Sequence, residues 1–291
     1  MDFKFANKVS NYIWINGEFI KWEDAYVHVL THSLHYAGAV FEGERAYCGK
    51  VFKLMEHTMR LLKSADHMSL KVSYSAAEIN KATNELLKIN NLQNAYIRPL
   101  IWRGAESISI YTKSLQCNLL ILAQESNPVF KNKLKLCVTP WRKVSADAMP
   151  PQCKSSAHYA MNIVSRKFVA DMGYDDGLVL DQYGDIAECI TTNIFFGKDN
   201  ELVTPIADRF LNGITRQTVI EIARNLGIKV REARLTLDDI ASYDTCFITG
   251  TSAEVTGVEY INVDNVKMHF PNQAIILKLQ QHYAQTVGKS I

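Results

Sequence analysis

Four short segments hold residue types that together could carry out chemistry on an amino group. Lys154 lies in CKSSAHY, Glu188 in GDIAECITTNIFF, Gly213-Ile214-Thr215-Arg216 at a helix start, and Gly250-Thr251-Ser252 behind a strand. A lysine amine can form a Schiff base, and an acid can keep a ring nitrogen protonated. Backbone N–H groups at a helix start can take a phosphate, because the first amides lack partners and the helix dipole favours an anion. These are demands of pyridoxal phosphate, which also needs a phenol or similar group facing its ring hydroxyl. Each segment has a plainer alternative. A lysine is by default solvated, Gly213 can be a turn residue with Thr215 as N-cap, and an acid ahead of a polar loop is by default exposed. Two glycine-and-hydroxyl turns in one half of the chain favour the anion reading over either turn alone.

The surroundings sharpen some of these readings. Pro150 and Pro151 stiffen the backbone before Lys154, and the small side chains after it let a ligand approach closely. Asn193 and the apolar run Ile194-Phe195-Phe196 suggest that the loop beyond Glu188 packs inward. Arg60, in EHTMRLLKSA, offers either a cationic fork for phosphate or a solvated charge on an amphipathic helix. His28, His32 and His35 invite a metal reading, but no acid completes an H-E-x-x-H pattern, so they read as structural histidines and no metal is expected. There is no G-x-S-x-G elbow, Walker loop or dinucleotide glycine fingerprint.

These groups need a scaffold, and its elements are readable. YIWI and EFI flank Asn16-Gly17, the dipeptide that best supplies a type I′ hairpin. Met59, Leu62, Ala65 and Met68 mark one helix face. The capping box Ser75 to Glu78 opens a second helix with Ile79, Ala82, Leu86 and Ile89 inward. Strands follow over 95–102 and 117–124. The polar, proline-bearing stretch ESNPVFKN, with Phe130, predicts a linker over 125–132 between domains at 1–124 and 133–291.

Beyond the linker come strand LKLCVTPW, a helix over 159–172 stopped by Gly173, and strands GLVL, IAE, NIFFG and LVTP. A helix over 215–226 stops at Gly227. Strand IKVREARL, a Thr236-x-x-Asp239 capping box, strand CFIT and a helix from Pro271 complete the chain. Strands and helices in mixed order, with hairpins, predict an α+β fold.

Composition narrows the function classes. A chain of 291 residues allows about two domains. With 47% hydrophobic residues, 21% charged and a net charge of +2, it reads as an ordinary globular protein without a basic surface for nucleic acid. Six scattered cysteines indicate neither a zinc site nor a disulfide framework, and fit reduced thiols in the cytoplasm. No stretch approaches ~18 apolar residues in a row, so no signal peptide or membrane span is expected. The expected partner is a small molecule.

As a set, HSLHYAGAVFEGERAY (32–47), EHTMRLLKSA (56–65), NAYIRPLIWRG (94–104), KSSAHY (154–159), GLVLDQYGDIAECITTNIF (177–195), LNGITRQ (211–217) and GTSAEVTGV (250–258) carry a family likeness. The chain resembles the class IV, or fold type IV, aminotransferases, and within them the branched-chain amino acid aminotransferases. The resemblance implies a two-domain enzyme that moves an amino group between leucine, isoleucine or valine and 2-oxoglutarate. It also implies pyridoxal 5′-phosphate as cofactor and a cytoplasmic homodimer or higher homo-oligomer. Lys154 would form the Schiff base and shuttle the proton, Glu188 would pair with the ring nitrogen, and Tyr159 would face the ring hydroxyl. Arg60, Leu211, Gly213, Ile214, Thr215 and Thr251 would hold the phosphate. Tyr96 and the amides of Thr251 and Ser252 would take the substrate carboxylate, Tyr36 and Phe41 would line the side-chain pocket, and Arg98 would receive the distal carboxylate of glutamate.

The match has departures and rivals. The linker is shorter than in many bacterial members, which puts substrate range in question, and Cys153 and Cys189 beside the working residues put redox tolerance in question. A D-amino acid aminotransferase would show an R-x-H element after Arg103-Gly104, where this chain has AESISIY. An aminodeoxychorismate lyase would share the fold, but the YIRP segment favours the transaminase. A non-catalytic scaffold would be marked by loss of the lysine or the ring acid, and both are present.

Overall fold

The structure, a computed structural model, describes residues 9–111, 113, 115–126 and 133–289. Most of the expected linker, 127–132 with Phe130, lies outside the described residues. The chain forms two compact units, one from Met1–Pro128 with Cys153–Ala157, the other from Val129–Gln152 with His158–Ile291.

The first unit runs β1 (Tyr12–Ile15), β2 (Glu18–Lys21), α1 (His32–Tyr36), β3 (Ala39–Phe41), β4 (Glu44–Tyr47), β5 (Lys50–Val51), α2 (Leu54–His67), α3 (Ala76–Ile89), β6 (Ala95–Arg103) and β7 (Cys117–Glu125). Asn16 and Gly17 both adopt positive φ, as the hairpin turn requires. The antiparallel sheet follows the order β2-β1-β7-β6-β4-β5, with β3 also on β6. Alternation along β6 sorts its side chains: Ala95, Ile97 and Ile101 enter the core, whereas Tyr96, Arg98 and Leu100 face the other way. Phe41 opposes Leu100, so it joins the face of Tyr96 and Arg98.

The Ser75 to Glu78 capping box forms, and Ile79, Ala82 and Leu86 are buried as expected. Ile89 is exposed. On α2 the expected face is wrong by about one position: Met59 is exposed, and the inward stripe is His57, Thr58, Leu61, Ser64 and Ala65. Hydropathy misplaced it because three of the five inward residues are polar, each with a partner. His57 meets Glu42, Thr58 donates to Asn80 Oδ1 at 2.5 Å, and Ser64 Oγ accepts from the Lys154 backbone.

The second unit runs β8 (Leu134–Val138), α4 (from Ser156–Asp171, whose first two residues belong to the first unit), β9 (Asp176–Leu180), β10 (Ile186–Cys189), β11 (Asn193–Lys198), β12 (Glu201–Pro205), α5 (Ile214–Asn225), β13 (Lys229–Ala233), β14 (Thr245–Gly250), β15 (Glu254–Val263), β16 (Val266–His269) and α6 (Ala274–Thr286). Its sheet order is β10-β9-β8-β15-β14-β11-β12-β13, with β16 on β15. Parallel β8–β9, β8–β15 and β12–β13 pairs sit among antiparallel ones, which fits the α+β expectation. Gly173 and Gly227 end their helices with positive φ. The Thr236-x-x-Asp239 box does close, with Asp239 Oδ2 accepting from the Thr236 amide at 2.7 Å, but it opens only a 3₁₀ turn. The β15–β16 hairpin was not anticipated. Gly257 interrupts its alternation, and its turn uses Asp264 and Asn265 in place of an Asn-Gly pair.

Candidate active site

In the first unit, Lys154 is pinned through its backbone. Its N–H donates to Ser64 Oγ at 3.0 Å, its carbonyl accepts from the Phe41 amide at 3.1 Å, and Ser155 bridges to Val40. Cys153, just before it, is buried in the core. Burial pushes that thiol up to about 11, and burial pushes Cys189 well above its usual range, so neither is an oxidation-prone thiolate and the redox concern does not hold.

The Lys154 ammonium stands 4.9 Å from the Phe41 ring centroid, and the Arg98 guanidinium stands 4.4 Å from the same ring. Arg98 Nη2 donates to Tyr96 Oη at 2.7 Å, while its buried Nε has no hydrogen-bond partner among the described residues. Gly43 is required here, because a Cβ would collide with Tyr96 Oη. Phe41, Tyr96, Arg98 and Lys154 are thus gathered. Tyr36 is held elsewhere: half exposed, it donates its hydroxyl to the Ile108 carbonyl at 2.9 Å.

Arg60 is not the solvated surface charge its helix allowed. Its Nε and Nη2 fork onto Glu42 at 2.6 and 2.8 Å, and His57 Nδ1 donates to the same carboxylate at 2.8 Å. Burial alone would raise the Glu42 pKa, but Arg60 and His57 hold it well below the carboxylate range. The three histidines of the opening segment carry local contacts: His32 Nε2 meets the Ile110 carbonyl at 3.2 Å, His35 Nε2 meets the Val29 carbonyl at 3.0 Å, and His28 Nδ1 accepts from the Leu30 amide at 3.1 Å.

In the second unit, Glu188 is buried on β10 and not an exposed acid. Lys143 Nζ lies 2.7 Å from its Oε1, and Asn193 Nδ2 donates to its Oε2 at 3.2 Å. Asn193 also donates to the Leu211 carbonyl at 3.0 Å and accepts from the Gly213 amide at 3.2 Å. One amide side chain therefore ties the acid to the start of α5. Gly213 is the N-cap of that helix, and no side chain caps it. A Cβ at Gly213 would collide with Asn193 Oδ1, so only glycine lets the turn approach. Ile214 and Thr215 are buried on the first turn, Thr251 is half-buried, Ser252 is exposed, and Tyr159 is half-buried on α4. Arg216 turns away into a buried network, with Nη1 on Asn212 Oδ1 at 2.9 Å and Nη2 on Glu232 at 2.6 Å, so it braces the loop from behind.

This donor set fits the cofactor that the sequence suggests. The α5 start leaves its first amides without a side-chain cap, and Gly213 keeps the approach open. The buried hydroxyls of Thr192 and Thr249, beside Asn193 and Gly250, have no hydrogen-bond partner among the described residues, and an anionic ligand oxygen would satisfy such groups. Glu42, His57 and Lys143 were missed from sequence. The available signal was VFEGERAY, in which two acids inside an apolar strand must be either paired or neutral.

Known proteins agree in kind. The model of the class IV amino-transferase family matches residues 39–261. A probable branched-chain-amino-acid aminotransferase of Rickettsia bellii is 55% identical over 277 residues, covering 95% of this chain and 96% of that protein. The crystal structure of a branched-chain aminotransferase from Thermoproteus uzoniensis with norvaline superposes with a TM-score of 0.90 at 34% identity, covering 97% and 96% of the two chains. The branched-chain amino acid aminotransferase of Thermobaculum terrenum, in its PLP-form, gives 0.88 at 29% identity over 98% and 96%. The chain therefore belongs to the class IV aminotransferases, on the branched-chain amino acid side of that family.

Proposed function

We propose that this chain transfers the amino group between L-leucine, L-isoleucine or L-valine and 2-oxoglutarate, with pyridoxal 5′-phosphate as cofactor. The observation that carries the reading is the Phe41 ring with the Lys154 amine and the Arg98 guanidinium both over it, and Tyr96 Oη on Arg98. An apolar ring next to an amine suits an aliphatic amino acid. A guanidinium with an unused buried N–H suits the second carboxylate of glutamate, which would otherwise be costly to desolvate.

When bound, the cofactor supplies a carbonyl that takes up the amino group and a ring that accepts electrons. Lys154 holds it and moves the proton at the substrate Cα. Glu188 keeps a proton on the ring nitrogen, and Tyr159 faces the ring hydroxyl. Arg60, Leu211, Gly213, Ile214, Thr215 and Thr251 take the phosphate. Tyr96 and the amides of Thr251 and Ser252 orient the substrate carboxylate, and Tyr36 and Phe41 bound its side chain. The reading includes a cytoplasmic location, which the six free thiols support, and a homodimer or larger homo-oligomer. Among the described residues no helix is long and apolar enough to cross a membrane.

A panel of L- and D-amino acids with 2-oxoglutarate, assayed for glutamate, tests the reading. Turnover is expected with the three branched-chain L-amino acids and not with their D-forms, and Lys154→Ala is expected to abolish it. D-specific turnover, or measurable turnover by folded Lys154→Ala with added amines excluded, would overturn it.

A further inference from the structure

We propose that Lys143 is a positioning residue for this reaction: its ammonium clamps the Glu188 carboxylate and keeps a fixed positive charge at the acid that serves the ring. The inference rests on the pyridoxal phosphate reading above. Its basis is geometric. Lys143 follows β8, and its backbone N–H donates to the Leu180 carbonyl at 2.9 Å, at the end of β9, the strand paired with β10. The side chain is thus launched from the sheet that carries Glu188, unlike a solvated lysine on a loop.

The two charged groups are 15% and 9% exposed and 2.7 Å apart. With Asn193 on the other oxygen, Glu188 is held from two sides and cannot rotate without breaking one bond. An amide alone would not compensate a buried carboxylate, whereas a paired cation does. Burial works to discharge Lys143, but Glu188 overrides it, with help from Tyr159, and the lysine pKa is raised. The other ionisable neighbours do not supply this charge. His158 is kept neutral, by burial first and by Lys143 in part, and the Cys189 thiol stays protonated. Asp181 lines the same hollow as Lys143, but it is already paired with Arg209 at 2.6 Å.

Glu188 therefore works as half of a neutral pair. A neutral side chain at 143 leaves an uncompensated negative charge, which favours whichever form of the bound cofactor carries one more proton. The test is a pH titration of the visible absorption band of the holoenzyme, with steady-state kinetics, for wild type, Lys143→Gln, Lys143→Met and Lys143→Arg. The titration midpoint should rise by about one pH unit in both neutral variants and return close to wild type in Lys143→Arg. kcat should fall while KM for leucine is retained. Lys143→Gln keeps a donor on Glu188, so the comparison survives if Lys143→Met does not fold. An unmoved midpoint in a folded neutral variant would overturn the role of Lys143 and leave the cofactor reading intact. A wild-type protein that takes up pyridoxal phosphate without any visible band would overturn both.

Discussion

Two buried acids, one in each unit, are held in the same way for opposite ends. Glu42 is gripped by the Arg60 fork and by His57; Glu188 is gripped by Lys143 and Asn193. Each has one cation and one neutral donor. The difference is which member of the pair stays accessible. Glu42 is sealed at 0% while Arg60 keeps 16% of its side-chain surface, so the acid aims the arginine. Glu188 keeps 9% itself, so the acid remains the working group and the cation is the holder. The same physical device, a charge pair sealed from water, can serve either partner.

Exchanging the charges should separate the two clusters. Glu42→Ala leaves Arg60 and His57 with no carboxylate in a buried site, and is expected to cost roughly 3–5 kcal/mol of stability. Glu188→Gln is nearly isosteric, and the edge of Lys143 that reaches solvent limits the structural cost. It should lower kcat by roughly 10²-fold or more while the protein remains folded. Urea melts and steady-state rates on both variants decide the matter. If Glu188→Gln unfolds the protein and Glu42→Ala only slows it, the assignment of holder and worker is reversed.

The Phe41 face offers a finer division inside the first unit. Arg98→Met keeps an unbranched chain over the ring and removes the guanidinium. It should weaken glutamate by roughly 2–5 kcal/mol in kcat/KM, the usual cost of deleting one member of a desolvated charge pair. Leucine, which has no second carboxylate, should be nearly unaffected. Equal losses for the two substrates would show that Arg98 only supports Tyr96.

What the sequence revealed follows the same divide between apolar pattern and buried charge. The Asn16-Gly17 hairpin, the Ser75 to Glu78 box, the alternation of β6 and the glycine stops were legible because a local rule dictates each one. The motif residues Lys154, Glu188 and Gly213 were legible as types. Glu42, His57 and Lys143 were not, because a polar residue earns burial only through a partner far along the chain, and single-sequence patterning carries no such pairing. The same blindness misplaced the inward face of α2, whose stripe is polar where it meets Glu42 and the Lys154 backbone. Tyr36 matched a motif, yet its hydroxyl is committed to Ile108.

The smallest expected effect concerns Glu44, two residues from Glu42 and its opposite in protonation. It is fully buried opposite the core residue Ile97, and neither carboxyl oxygen has a hydrogen-bond partner among the described residues. Burial, then the nearby Glu42 charge, pushes its pKa well above the ordinary value of 4.5, with Arg60 opposing only in part. The two acids therefore tilt stability in opposite directions. Glu42 has a depressed folded pKa, so its contribution is present above 4.5 and lost as pH falls below it. Glu44 has a raised folded pKa: above 4.5 the unfolded chain gives up the proton that the folded one retains, so stability is full below that pH and declines as pH rises. Glu44→Met fills the site with an apolar side chain of similar length and removes the unsatisfied carboxyl. A gain of roughly 1–3 kcal/mol is expected, larger at pH 8 than at pH 5, read as the urea midpoint at each pH. Glu44→Gln should flatten the same pH slope with less of the gain, because its amide is still buried without a partner. A lower midpoint for Glu44→Met at pH 8 would mean that this carboxyl holds the strand together and is not carried at a cost.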